Sequence, residues 1–137
     1  MNIPIRVGIS PTLHIRGLVA DENIRKGQVL ERCPVILVHV RQQEALEKTV
    51  FDRYIYQWNA HNVAVVLGYG SLYNHSYAPN VRYGFNYKDQ TAIFTALRNI
   101  SAGEELFINY VGEGAYANDP LEPKWSDFDP HRQPRRF

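Results

Sequence analysis

A chain of 137 residues has the length of one domain, enough to bury roughly two-thirds of the surface its unfolded form exposes around a single core. With 45% hydrophobic and 21% charged residues and a formal charge of +1, it has the balance of an ordinary soluble globular protein, with no overall field to draw it to nucleic acid or an anionic membrane. Cys33 stands alone, which excludes an internal disulfide and a multi-cysteine zinc cluster and suits a reducing compartment. Its thiol is expected to be buried and inert. Met1 to Arg6 lacks a basic start followed by an apolar run, and no segment has the length of a membrane span, so a cytosolic protein is expected.

Strand signals dominate the N-terminal third. Gly17-Leu18-Val19-Ala20, Gln28-Val29-Leu30-Glu31 and Val35 to Val40 are short and rich in β-branched residues, with turn formers between them. Gln42 to Thr49 changes to good helix formers, and Ala45, Leu46, Thr49 and Val50 share a face, which predicts one short helix. Val50 to Tyr56 alternates and leads through Asn59-Ala60-His61-Asn62 into the apolar run Val63 to Leu67, which reads as a hairpin. A second hairpin is predicted from Val81 to Tyr87 and Thr91 to Leu97, around Lys88-Asp89-Gln90.

The spacing N-I-x-x-G-x-x-L occurs twice, from Asn23 to Leu30 and from Asn99 to Leu106. Two turns of one design are expected, each with an Ile anchor and a Gly at positive φ. Beyond Tyr110 the chain turns to Gly112-Glu113-Gly114, then to Asp119-Pro120-Leu121-Glu122-Pro123 and a basic, Pro-containing end. Tyr116, Trp125 and Phe128 are the aromatic anchors available to pin this tail onto a domain.

Between the two predicted hairpins, Asn74-His75-Ser76 with Pro79-Asn80 crowds polar, turn-forming side chains beside a core-bound segment, which calls for either a structural turn or a ligand. With R-G-L-x-A at Arg16 to Ala20, the turn at Ile24 to Gly27, and G-E-E-L-x-x-x-Y from Gly103 to Tyr110, this run resembles the SET-domain protein lysine methyltransferases, in the family's order and over roughly residues 3 to 116. The resemblance implies a mainly β fold, a β-clip of several small sheets with one short helical insert and a C-terminal pseudoknot. It divides the chain into a SET domain at 1–116 and a tail at 117–137.

It also implies S-adenosyl-L-methionine as cofactor, bound by Arg16, Gly17, Asn74, His75, Tyr110 and Tyr116, with Tyr110 the catalytic residue. Asn74 and His75 would contact the amino-acid and adenine parts of that molecule, His75 through its backbone. Ile108 and Tyr110 would line the substrate lysine channel. At Ile108, two residues before the catalytic position, family members often carry a Tyr or Phe that limits the number of methyl groups; a smaller apolar side chain implies room for two or three. The partner implied is a protein with a lysine-containing basic segment, without direct nucleic-acid or membrane binding. A nuclear or nucleoid location would follow from a chromatin-like substrate, and surface tyrosines leave a homodimer open.

Two departures from the family pattern matter. Many members have N-H-S-C, whose Cys joins a zinc cluster; here Tyr77 takes that place and no cysteine follows, so no metal is expected and closure falls to the tail, through Tyr116 first and Trp125 next. The family's usual G-x-G is Ile15-Arg16-Gly17, and Ile15 restricts the approach of backbone to cofactor. A catalytically inactive SET-like peptide-binding module is therefore the alternative. A zinc hydrolase is disfavoured because His14, His39, His61 and His131 show no metal-ligand spacing. Glu104-Glu105 reads as a charged turn.

Overall fold

The computed structural model describes residues 3–110. Strands β1 (Ile5–Ile9) and β2 (Arg16–Ala20) form an antiparallel hairpin with Ile5 opposite Ala20 and Ile9 opposite Arg16. The hairpin closes through Ser10 N–H to the Ile15 carbonyl at 2.7 Å, with His14 at φ 58°. Strand β3 (Val29–His39) is a single 11-residue strand where two are predicted. It pairs with β8 (Thr91–Ala96) as far as Pro34, and with β5 (Asn62–Val66) from Val35 onward. Proline is tolerated there because the strand changes partners at that point.

Helix α1 (Val40–Glu47) begins two residues earlier than predicted. The His39 ring accepts from Arg41 N–H at 3.1 Å and caps it. The alternating stretch from Val50 is no strand at first. Thr49 accepts from Phe51 N–H at 3.1 Å, and a 3₁₀ turn forms over Val50–Arg53 before β4 (Ile55–Gln57) begins. Asn59 then closes the hairpin to β5, its Oδ1 accepting at 2.8 Å from the N–H groups of both His61 and Asn62. After a second 3₁₀ turn (Gly70–Leu72) come β6 (Asn74–His75), β7 (Val81–Asn86), β8 and β9 (Glu105–Ile108).

Two sheets result, β1-β2-β9-β6 and β4-β5-β3-β8-β7. The second curls until its outermost strands meet: Tyr56 of β4 lies edge-on to Tyr83 of β7 at 5.2 Å, and Trp58 stacks on Phe85 at 4.6 Å. The core between the sheets holds Leu18, Leu106, Ile24, Ile100, Phe94 and Tyr73, with the Tyr73 ring stacked on Phe94 at 4.6 Å and 13°. Each large side chain buried there contributes about 1.5–3 kcal/mol.

The repeated motif explains how the sheets are joined. Ile24 and Ile100 exchange both backbone hydrogen bonds at 2.8 Å, so the two copies lie against each other. Asn99 Oδ1 accepts from Lys26 N–H at 2.8 Å, and Asn23 Oδ1 returns the contact to Ala102 N–H at 2.9 Å. Gly27 and Gly103 take φ of 85° and 91° at equivalent places. Each turn is thus capped by the asparagine of the other, a local two-fold clasp.

Candidate active site

Strand β9 lies between β2 and β6. It is antiparallel to β2, with Leu18 opposite Leu106, and parallel to β6, with Asn74 opposite Phe107 and His75 opposite Ile108. A parallel pair cannot come from a hairpin, so residues distant in sequence are brought together here. Asn80 secures the arrangement. Its carboxamide accepts from Phe107 N–H and donates to the Glu105 carbonyl, both at 2.8 Å, and satisfies two backbone groups of β9 in a buried position. The Pro79-Asn80 part of the polar run is therefore structural.

Asn74 is buried, at 2% exposure. Its Nδ2 donates to a Glu105 carboxylate oxygen at 2.9 Å and to the Arg16 carbonyl at 3.2 Å. Both hydrogens are thereby used, while no donor among the described residues reaches Oδ1. Gly17 lies beneath this pair: a Cβ there would stand 2.5 Å from Asn74 Nδ2 and 2.8 Å from Glu105 Oε2. Gly17 is therefore required for the packing of Asn74 itself.

Tyr110 turns its hydroxyl onto the Tyr73 carbonyl, one residue before Asn74. Its backbone N–H donates to His75 Nδ1 at 3.0 Å, and the two rings lie 5.1 Å apart. The His75 ring accordingly holds the chain at Tyr110, and its neutral form carries the proton on Nε2. On its other side it meets Tyr77 edge-on at 4.5 Å. Tyr77 is exposed. Burial, then nearby Cys33 and Glu31, pushes the Tyr73 phenol up, so it remains a neutral wall of the core.

Arg16 lies half-buried on β2. Its Nη2 donates to the Tyr54 hydroxyl at 3.3 Å, and its Nε is buried without a partner among the described residues. Through Tyr54 the guanidinium reaches the helical insert, and Ser71, just before the Tyr73-Asn74 segment, donates to the Tyr54 carbonyl at 3.1 Å. Ile15 needs no glycine-like φ, and its carbonyl is engaged by Ser10. Ile108 is fully buried in the core, directly across from His75. Thus Arg16, Gly17, Asn74, His75 and Ile108 are gathered on three adjacent strands, with Tyr110 two residues past the last of them. Tyr116 and Trp125, the boundary at 116/117 and the acidic tail lie outside the described residues.

One residue of the cluster is missed by the sequence reading. Glu104 is indeed in the turn, where the Ser101 N–H and then Arg98 lower its carboxyl. Glu105, however, turns inward and accepts from the Ser10 hydroxyl as well as from Asn74. No periodic signal separates the two glutamates, since β9 is covered on both faces. Among the described residues no three His, Cys, Asp or Glu side chains gather as a metal site.

The comparisons with known proteins bear on the same strands. A family model described as the SET domain matches residues 15–111. The chain belongs to the SET-domain family. A relative from Schizosaccharomyces pombe, named as a histone-lysine N-methyltransferase specific for H3 lysine 37, is 32% identical over 96 residues, which is 69% of this chain and 65% of the relative. The match thus spans just under two-thirds of that protein. A crystal structure from Plasmodium falciparum, described as a candidate histone methyltransferase, superposes with a TM-score of 0.66 at 27% identity, over 82% of this chain and 97% of the other. The mainly β SET fold of small curved sheets with one short helix, expected from the motifs, is the fold found.

Proposed function

We propose that this SET domain transfers a methyl group from S-adenosyl-L-methionine to the ε-amino group of a lysine in a protein substrate. The observation that carries the reading is the contact between the Tyr110 hydroxyl and the Tyr73 carbonyl, one residue before Asn74. Two oriented oxygens at one point suit a polarised methyl group, which they hold by weak C–H···O contacts. The names of the two similar proteins support the same chemistry.

The cofactor fits the side chains present. Its amino-acid end bears a carboxylate and an ammonium. The Arg16 guanidinium, with a buried Nε lacking a partner among the described residues, suits the first, and Asn74 Oδ1, lacking a donor there, suits the second. When bound, this cofactor supplies an activated methyl on a cationic sulfonium. The chain must then present a neutral amine. Lysine deprotonation at neutral pH costs about 4.6 kcal/mol relative to its ordinary pKa, and apolar walls beside a cation lower that cost because both disfavour the ammonium. Ile108 and Tyr110 would form such walls, and fixed alignment of amine and methyl supplies much of the remaining acceleration.

The substrate class that fits is a protein with a lysine-rich, basic segment, in the cytoplasm or on chromatin. The acidic stretch from Gly112 to Asp129, with Lys124 its sole basic residue, complements that charge. Calorimetry with S-adenosyl-L-methionine followed by labelled-methyl transfer onto a lysine-rich protein pool tests the reading. Binding and label in N-methyl-lysine are expected; binding without transfer would favour the inactive peptide-binding alternative.

A further inference from the structure

We infer that Glu105 is a positioning residue that fixes the Asn74 carboxamide with Oδ1 outward, making Asn74 a dedicated acceptor for the ammonium of the cofactor's amino-acid end. This rests on the reading above and extends it to a residue whose own atoms need not touch the ligand.

An asparagine side chain can present either end, and its two orientations differ only in which neighbours are donors and which acceptors. Asn74 faces two groups on its inner side, the Glu105 carboxylate at 2.9 Å and the Arg16 carbonyl at 3.2 Å. Both are acceptors. A flipped carboxamide would set oxygen against oxygen twice in a buried place, whereas the observed orientation satisfies both contacts. Oδ1 is left to the ligand.

Glu105 is held to this task from three sides. The buried Ser10 hydroxyl donates to its other carboxylate oxygen and accepts in turn from Leu13 N–H at 3.1 Å. The absence of a side chain at Gly17 admits the carboxylate and carboxamide together. The Asn80 carboxamide holds the Glu105 carbonyl at 2.8 Å. An anionic acceptor also polarises the amide, so Oδ1 becomes a better acceptor for a cation than an isolated asparagine would be. The amino-acid end is thus selected by charge.

The test uses the full chain, with Glu105→Gln as a variant of equal size whose amide can donate to Oδ1 and so permits the flip. S-adenosyl-L-homocysteine, which keeps the amino-acid end, is expected to bind Glu105→Gln about tenfold more weakly, in keeping with a weakened hydrogen bond to a charged group. 5′-Methylthioadenosine, which lacks that end, should bind within about twofold of the parent. In the Asn74→Ala background, Glu105→Gln should cost no further affinity, since a residue acting through Asn74 has nothing left to act on. Equal losses for both ligands, or additive losses in the double variant, would mean a merely structural role and overturn the inference.

Nuclear Overhauser contacts decide the orientation without any ligand. The Asn74 amide protons should lie against Gly17 in the parent and lose that contact, wholly or in part, in Glu105→Gln. Unchanged contacts in the variant would overturn the inference. If the parent binds neither nucleoside, the proposed function fails, and this second arm still judges Glu105.

Discussion

Cys33 is fully buried. Burial, then adjacent Glu31, pushes its thiol up, so it stays protonated in the folded chain. A thiol reagent should leave the native protein unmodified and react with one equivalent after denaturation. A raised pKa sets the sign: this stabilising effect is complete below the ordinary thiol value of about 8.5 and is lost progressively as pH rises above it. Burial of this thiol is legible from the scarcity of cysteine, and Asn74, His75, Asn80 and Tyr110 are legible because they sit in motifs whose order along the chain is informative. The inward turn of Glu105 is not, because its partners Ser10 and Asn74 are distant in sequence and no local pattern separates it from Glu104. Ile108 is a further case. A tyrosine at this fully buried position must displace core neighbours, so Ile108→Tyr should lose about 1–3 kcal/mol of stability by denaturant unfolding. If it folds and turns over, a product shifted toward monomethyl-lysine is expected by mass spectrometry, against di- or trimethyl product from the parent.

At the scale of elements, composition reveals strands well and their junctions poorly. Both predicted hairpins form, with Asn59 closing the first and Gln90 taking φ of 53° in the second. Strand β1, Ile5-Arg6-Val7-Gly8-Ile9, does alternate, but it escapes notice because it is only five residues long, carries a glycine, and leaves Val7 and Ile9 exposed. The 3₁₀ turn at Val50–Arg53 defeats a period-two reading because the Thr49 side chain offers the backbone a local alternative. The N-I-x-x-G-x-x-L echo is visible as shared turn chemistry, but the clasp between its copies is not, since nothing local says that Asn23 and Asn99 cross over. Gly103→Ala should cost about 1–2 kcal/mol from the positive φ alone, with open space around the new methyl, and should be measurable as a lowered denaturation midpoint. An unchanged midpoint would mean that the turn relaxes.

At the scale of the whole molecule, the site lies on one sheet, and that sheet packs against a core shared with the other. Arg16 and Asn74 come from β2 and β6, Tyr110 lies two residues past β9, and their neighbours belong to that shared core. Binding and global stability should therefore be linked. At a hundred times its dissociation constant the cofactor should stabilise the chain by about 2.7 kcal/mol, seen as a raised melting temperature. Asn74→Ala at the same concentration should show a smaller rise. The central claim is tested most directly by labelled-methyl transfer from S-adenosyl-L-methionine to a lysine-rich protein pool, comparing the parent chain with Tyr110→Phe. Removing one oriented oxygen while keeping the ring should lower transfer by about 100-fold or more, with the fold intact and much of the cofactor affinity retained. Equal transfer by parent and variant, or no N-methyl-lysine from a parent chain that binds the cofactor, would contradict the account.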